Sequence, residues 1–266
     1  MTNLAEVLPV YRRFRQIGLR LNHAFIRSLS KEEIETAGQR LGMLHNGTLV
    51  FESEDETSVL MDYGIYNVET AGRNAVQKYM VESPPPPGSD EMVLLKAQLK
   101  AYYSLFQVID LEPGVGVTVQ DVLRDDIGFM ADIGLSGTAQ KRSVFATRVI
   151  PFEEHGFMMS GGAGLPVVRP LLIKINKELS RAFGPGTDFA RLTRDQEADL
   201  AALVIRVCLQ TGMSSRIAYG MAAEQSSPRK ARSVDPREVR RANPNDTCPC
   251  GSGRRFKSCC GRRPRL

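Results

Sequence analysis

The 266-residue chain contains no tryptophan and only three histidines. His23, His45 and His155 lie far apart, so neither an H-x3-H nor an H-E-x-x-H metal pair exists. The G-x-S-x-G nucleophile elbow and the G-x4-G-K-[ST] phosphate loop are also missing, which removes two common routes to an enzyme. No apolar run reaches membrane-spanning length. The first residues, Met1 to Glu6, lack the charged-then-apolar pattern of a secretory signal, so a reducing cytoplasm is the expected location. The absence of tryptophan argues weakly against a surface built on aromatic anchors. With 42% hydrophobic and 24% charged residues, the composition is that of a globular protein, long enough for one or two domains with a true core.

Cysteine is scarce as well, and its placement is uneven. Four of the five cysteines fall between Cys248 and Cys260, spaced C-x-C-x8-C-C. Adjacent cysteines such as Cys259 and Cys260 rarely bridge each other, and nothing else suggests secretion, so disulfides fit poorly. Four thiolates at about 2.3 Å satisfy a tetrahedral zinc ion without help from histidine or carboxylate. Pro249 and the Gly251-Ser252-Gly253 turn let the chain double back so that both cysteine pairs face one point. The cluster reads as a metal site.

Asn245-Asp246, Cys248-Pro249-Cys250-Gly251-Ser252-Gly253, Arg254-Arg255-Phe256-Lys257 and Cys259-Cys260-Gly261 together resemble the SEC-C motif. That zinc-binding segment ends the preprotein-translocase ATPase SecA and many otherwise unrelated bacterial proteins. Thr247 stands where the family usually has proline, and Cys260 matches its all-cysteine form. The resemblance implies that Cys248, Cys250, Cys259 and Cys260 are the ligands. It further implies zinc, with iron considered for some relatives, and a module that docks a protein or ribosomal partner. It covers about seventeen residues and says nothing of the remainder.

Charge follows the same division. Residues after 223 hold twelve Lys/Arg against four Asp/Glu, leaving 23 against 26 before them, although the whole chain is only +5. The tail therefore reads either as a handle for an acidic macromolecule (a ribosome or RNA, or a chaperone or secretion protein) or as charge that serves solubility alone. Arg254, Arg255 and Lys257 are its candidate partner-binding residues. Between Met221 and Asn243 the sequence is too polar to bury a core and reads as a flexible basic linker. The metal module then occupies residues 244–262.

The body reads as helices around a small β unit. Leu4, Leu8, Tyr11, Phe14, Ile17, Leu21 and Phe25 form an apolar stripe over residues 4–29, with Pro9 suited to a first turn. Arg12, Arg13, Arg15, Arg20 and Arg27 lie on the opposite face, which reads as solvated although nucleic-acid contact is an alternative. Ser30-Lys-Glu-Glu33 is a capping box for a helix to about Leu44, and His45-Asn46-Gly47 turns into a short strand. Helices are expected over 56–66 and 72–81, with Tyr63, Tyr66 and Tyr79 in packing roles. Four prolines at 84–87 break the pattern before a helix from Ser89-Asp90 to about Leu105.

Short alternating runs from 106 to 165 predict a small antiparallel barrel or curled sheet. Helices return over 166–220, one carrying Leu171, Leu172, Ile175, Leu179 and Phe183, the next opened by the Thr193-Arg-Asp-Gln196 box. Cys208 lies on the apolar stripe of that helix and reads as a buried small hydrophobe. The fold class is α+β: a helical N-terminal region (1–105), a β unit (106–165), C-terminal helices (166–220), a linker (221–243) and a tethered zinc knuckle. Asp121, Asp125, Asp126 and Asp132 could hold a divalent ion, and His155 beside Glu153 and Glu154 could be a base, but loop carboxylates and a lone histidine explain both. No catalytic residue is assigned. The expected function is a metal-binding adaptor, with an enzymatic body recruited by the tail, or direct nucleic-acid binding, as alternatives.

Overall fold

A computed structural model describes residues 4–51, 54–162 and 164–210, together with Arg255. Helix α1 (Leu4–Ser28) runs longer toward its N-terminus than its proline suggests, with Pro9 at its sixth residue. Its stripe is as expected: Tyr11, Phe14, Ile17, Leu21 and Phe25 are buried, joined by Val7. Helix α2 (Lys31–Leu41) opens on the Ser30–Glu33 capping box and stops at Gly42, whose φ of 74° is left-handed. Strands β1 (Leu44–His45) and β2 (Thr48–Leu49) form a hairpin across Asn46-Gly47, where both φ values are positive, as a tight primed turn requires.

Helices α3 (Glu54–Asn67), α4 (Ala75–Glu82) and α5 (Asp90–Leu99) follow. Helix α4 starts three residues later than expected because Asn74 and Gln77 form a capping box there. Helix α5 ends at Leu99, not near Leu105. β3 (Tyr102–Glu112) begins at once, and Tyr103 and Leu105 pair with the barrel instead of continuing the helix.

The barrel continues with β4 (Gly116–Asp121), β5 (Asp126–Ala131), the short helix α6 (Ile133–Thr138), β6 (Val144–Phe152), β7 (Phe157–Ser160) and β8 (Leu165–Pro166). Strand order is β3-β4-β5-β7-β6, closed by pairing β6 back onto β3, with β8 added beside β6. One expectation is corrected here: β5 and β7 run parallel, so the barrel is not wholly antiparallel. Strand β7 follows a reversal from β6, itself reached through α6, and so enters the gap beside β5 in the same direction. This order, with a helix after the third barrel strand, is that of an OB-type Greek-key barrel, a likeness of topology alone. The chain closes its described part with α7 (Arg169–Phe183) and α8 (Arg194–Leu209).

Three apolar clusters hold this together. Phe106, Val108, Val117, Val119, Met130, Phe145 and Val149 fill the barrel. Outward-facing Tyr103, Leu105 and Ala146 pack against α2, α3, α7 and α8. Outward-facing Phe129, Ile150, Phe152 and Met159 pack against α1 and parts of α3, α4 and α5. Period-two alternation along β6 thus serves the inside of the barrel and two separate helical layers. No helix among the described residues is long and apolar enough to cross a membrane.

A second set of buried contacts fastens α2 to α4. Glu33 is 4% exposed. Its Oε1 accepts a 2.8 Å hydrogen bond from Thr70 and a contact from the Lys78 ammonium, while its Oε2 accepts from the Ser30 amide at 2.8 Å. Burial alone would raise this carboxyl, but those donors outweigh it and bring its pKa down to about 2. Because the folded pKa lies below the ordinary value, this stabilisation is present above about pH 4.5 and fades as pH falls toward 2. Between pH 5 and pH 3 it should shrink by about 2 kcal/mol. Glu33→Gln should therefore destabilise the body at pH 7, and that penalty should narrow by the same amount at pH 3. A penalty constant with pH in urea titrations would show that the Glu33 carboxylate is not the sensitive group.

Candidate functional site

Arg148 sits in the middle of an apolar strand, between Ala146, which packs in one helical layer, and Ile150, which packs in the other. It points outward from the barrel, beside its cross-strand neighbour Tyr103, and is 1% exposed. A guanidinium there demands a counter-charge. Asp62 on α3 supplies it: Arg148 Nε donates to both carboxylate oxygens, at 2.9 and 3.1 Å. Arg148 Nη2 donates to Asn67 Oδ1, and its Cζ stacks 4.4 Å from the centre of the Tyr66 ring. Burial pushes the Asp62 carboxyl up, and Arg148 pulls against that shift. The backbone of Gly162 comes close over this pair: a Cβ there would lie 2.8 Å from Asp62 Oδ1, so only glycine lets the β7–β8 connection pass.

Arg148 forms part of the lining of a cleft of about 410 Å³ between α2, α3, α4, the α5–β3 connection and the start of α8. That volume is in the range of small-molecule sites. Asn67, Asn74 and Gln77 contribute amides, while Lys100, Arg194 and Glu197 contribute charge. The Asn74 side chain also donates to the Tyr66 carbonyl at 2.9 Å, fixing the end of α3 against the start of α4. On the far side, Glu197 Oε1 accepts from Arg124 Nη2 at 2.6 Å, and Arg124 lies 4.3 Å over the Tyr102 ring. Burial pushes the Glu197 carboxyl up, opposed by Arg124. Its second oxygen is buried without a hydrogen-bond partner among the described residues. The Nη1 group of Arg148 also has no hydrogen bond among them. The cleft therefore brings a fixed, almost fully buried cation, Arg148, to the same lining as a carboxyl whose proton affinity burial raises, a combination of polar groups that suits a polar ligand.

The residues singled out in the sequence lie elsewhere. Cys248, Cys250, Cys259 and Cys260, with Arg254 and Lys257, fall outside the described residues, as do the linker and the metal module; Arg255 is exposed. Cys208 is buried, and burial pushes its thiol up to about 12, consistent with an unreactive hydrophobe. The four aspartates do not converge. Asp121 accepts from Ser104 and from the Leu123 and Arg124 amides, whereas Asp132 caps α6 and accepts from Ser160. Among the described residues no group of three or more His, Cys, Asp or Glu could hold a metal. His155 packs against the rings of Phe14, Phe152 and Phe157, at centroid distances of 5.8, 6.3 and 6.0 Å.

Arg148 and its counter-ion escaped the sequence reading because each is a lone charge inside a largely apolar run: Asp62 within Val59–Tyr63, and Arg148 within Val144–Phe152. A lone charge in an otherwise buried strand was the available signal.

An α+β body of this kind, helices on an OB-type barrel, is matched from residue 5 to residue 165 by a Family of unknown function (DUF7986). That span covers α1 to the start of β8 and more than half of the chain, so the protein belongs to this family. Residues 245–262 match the SEC-C motif, in agreement with the resemblance seen in the sequence. No curated protein and no solved structure matches the chain.

Proposed function

We propose that the protein is a metal-dependent adaptor, whose SEC-C tail binds one metal ion through Cys248, Cys250, Cys259 and Cys260 and docks the body on an acidic macromolecule. The observation that carries this reading is the motif match at 245–262, which contains all four cysteines. Four thiolates complete a tetrahedral set and leave no open position for a reacting water, so the metal's role would be structural. From residue 244 onward the only large apolar side chains are Phe256 and Leu266, too few to order the metal module without metal. Zinc suits the donor set best; iron is the alternative. Arg254, Arg255 and Lys257 would then present a fixed basic patch in a segment with twelve Lys/Arg against four Asp/Glu. A cytoplasmic ribosome or its RNA is the favoured partner, and a chaperone or secretion protein the other.

Co-sedimentation of the full chain with ribosomes over a salt series tests this. Binding should weaken with salt and be lost in the Cys259→Ser form. Undiminished binding by that variant would show that a folded metal module is not what docks the protein. A second reading, an enzymatic body recruited by the tail, is favoured by the cleft lined by Arg148 and Glu197.

A further inference from the structure

Outside the cleft, the most uneven feature of the body is the charge on α1. Residues 7–30 contain five arginines, no lysine and no acidic residue. The rest of the chain up to residue 223 then carries 18 Lys/Arg against 26 Asp/Glu, so this helix is a basic strip on an acidic protein. The barrel shares the acidic character, with eight Asp/Glu against four Lys/Arg over residues 102–166. Its topology is therefore not matched by the charge that a phosphate backbone requires.

All five arginines of α1 are exposed. Two have protein partners: Arg13 pairs with Asp90 at 2.9 Å, and Arg15 donates to the Ser160 carbonyl at 3.2 Å. Arg12, Arg20 and Arg27 have none among the described residues. They recur at intervals of eight and seven residues, about two turns each, and so line up along about 22 Å of one face. Nothing in the fold accounts for three unpartnered guanidinium groups in a row on a chain that has acid to spare elsewhere.

We propose that this face of α1 is a second docking surface, on the body, for the phosphate backbone of RNA. Three features select that partner. The cations are all arginine, whose planar fork matches phosphate oxygens in pairs. No exposed Phe, Tyr or Trp interrupts the row, and His23 is the only ring on it among the described residues, so contact is mainly with the backbone and largely independent of base sequence. The apolar face of α1 is already buried under the body, which leaves no second face to enter a lipid surface. Leu19 and Ile26, exposed within the strip, are isolated apolar residues of the ordinary kind.

The inference goes beyond the tail-docking reading and does not depend on it. Its test measures binding of a labelled RNA hairpin over a salt series. The proteins are the full chain, its Arg12→Glu/Arg20→Glu/Arg27→Glu variant and the Cys259→Ser variant, each shown by circular dichroism and melting to have a native body. Loss of three phosphate contacts should make the slope of log Kd against log salt shallower by about 2 to 3, and weaken binding roughly tenfold or more. An unchanged slope and affinity in the triple variant would overturn the proposal and leave tail docking untouched. So would displacement of the hairpin by polyglutamate as readily as by unlabelled RNA, which would mark an acidic protein as the partner. If instead Cys259→Ser keeps both RNA binding and ribosome co-sedimentation while the triple variant loses the first, docking by the folded tail falls and the α1 surface stands.

Discussion

Replacing Arg148 with methionine should cost the body about 3–5 kcal/mol, among the largest effects any single side chain here can produce. The loss is not the value of the ion pair itself. Asp62 is 7% exposed and both its oxygens accept from Arg148 Nε, so removing the guanidinium leaves a carboxylate in an apolar seam with nothing to offset it. Adding Asp62→Leu to the same protein should recover most of the stability, because the orphaned charge is gone and the seam is apolar on both sides. Urea midpoints of the wild type, the two single variants and the double variant form the required cycle. If the two single losses simply add in the double variant, the pair is not coupled as its geometry says. A loss below about 0.5 kcal/mol in Arg148→Met would place the residue with ordinary surface positions.

The second large effect concerns the metal. The purified full chain should hold one zinc ion, and chelation should release it together with the order of the tail, since a structural zinc contributes on the order of 10–16 kcal/mol in small peptides. The body should not notice. Among the described residues, its three apolar clusters are formed by side chains up to Leu209, well before the cysteines, so its melting temperature should be the same with and without metal. Thiol titration gives an independent count: four cysteines reactive after chelation, with Cys208, whose thiol burial pushes up to about 12, joining only when the body unfolds. Stoichiometric metal retained by Cys259→Ser would remove that residue from the ligand set, and a body melting point that falls with chelation would tie the tail to the fold.

Much of the architecture was legible because it depends on local signals. The Ser30, Ser89 and Thr193 caps sit where their side chains accept from the third residue of each helix. The Asn46-Gly47 turn folds the hairpin around it, and the α1 stripe marks its buried face correctly. What the sequence did not yield depends on partners distant along the chain. Tyr103 and Leu105 continue the helical pattern of α5 well enough, and only pairing with β6 more than forty residues later makes them strand. The parallel contact between Met130 and Met158 is likewise a property of barrel closure and of no local motif. The cleft is the extreme case. Arg148 and Glu197, which line it, and Asp62, which pairs with Arg148 behind it, come from a strand and two helices, and no spacing in the sequence relates them.

Closure of the barrel also sets a schedule. The apolar face of α1 is complete once residue 25 has been made, yet the side chains it packs against include Phe152, Phe157 and Met159. At roughly 5–20 residues per second the ribosome needs on the order of ten seconds to supply them. For that interval Phe14, Leu21 and Phe25 have no finished surface to cover them, while the arginines on the opposite side are already in place. During synthesis the apolar stripe of α1 is therefore uncovered for many seconds, and substitutions that slow the folding of β6 and β7 should show first as aggregation.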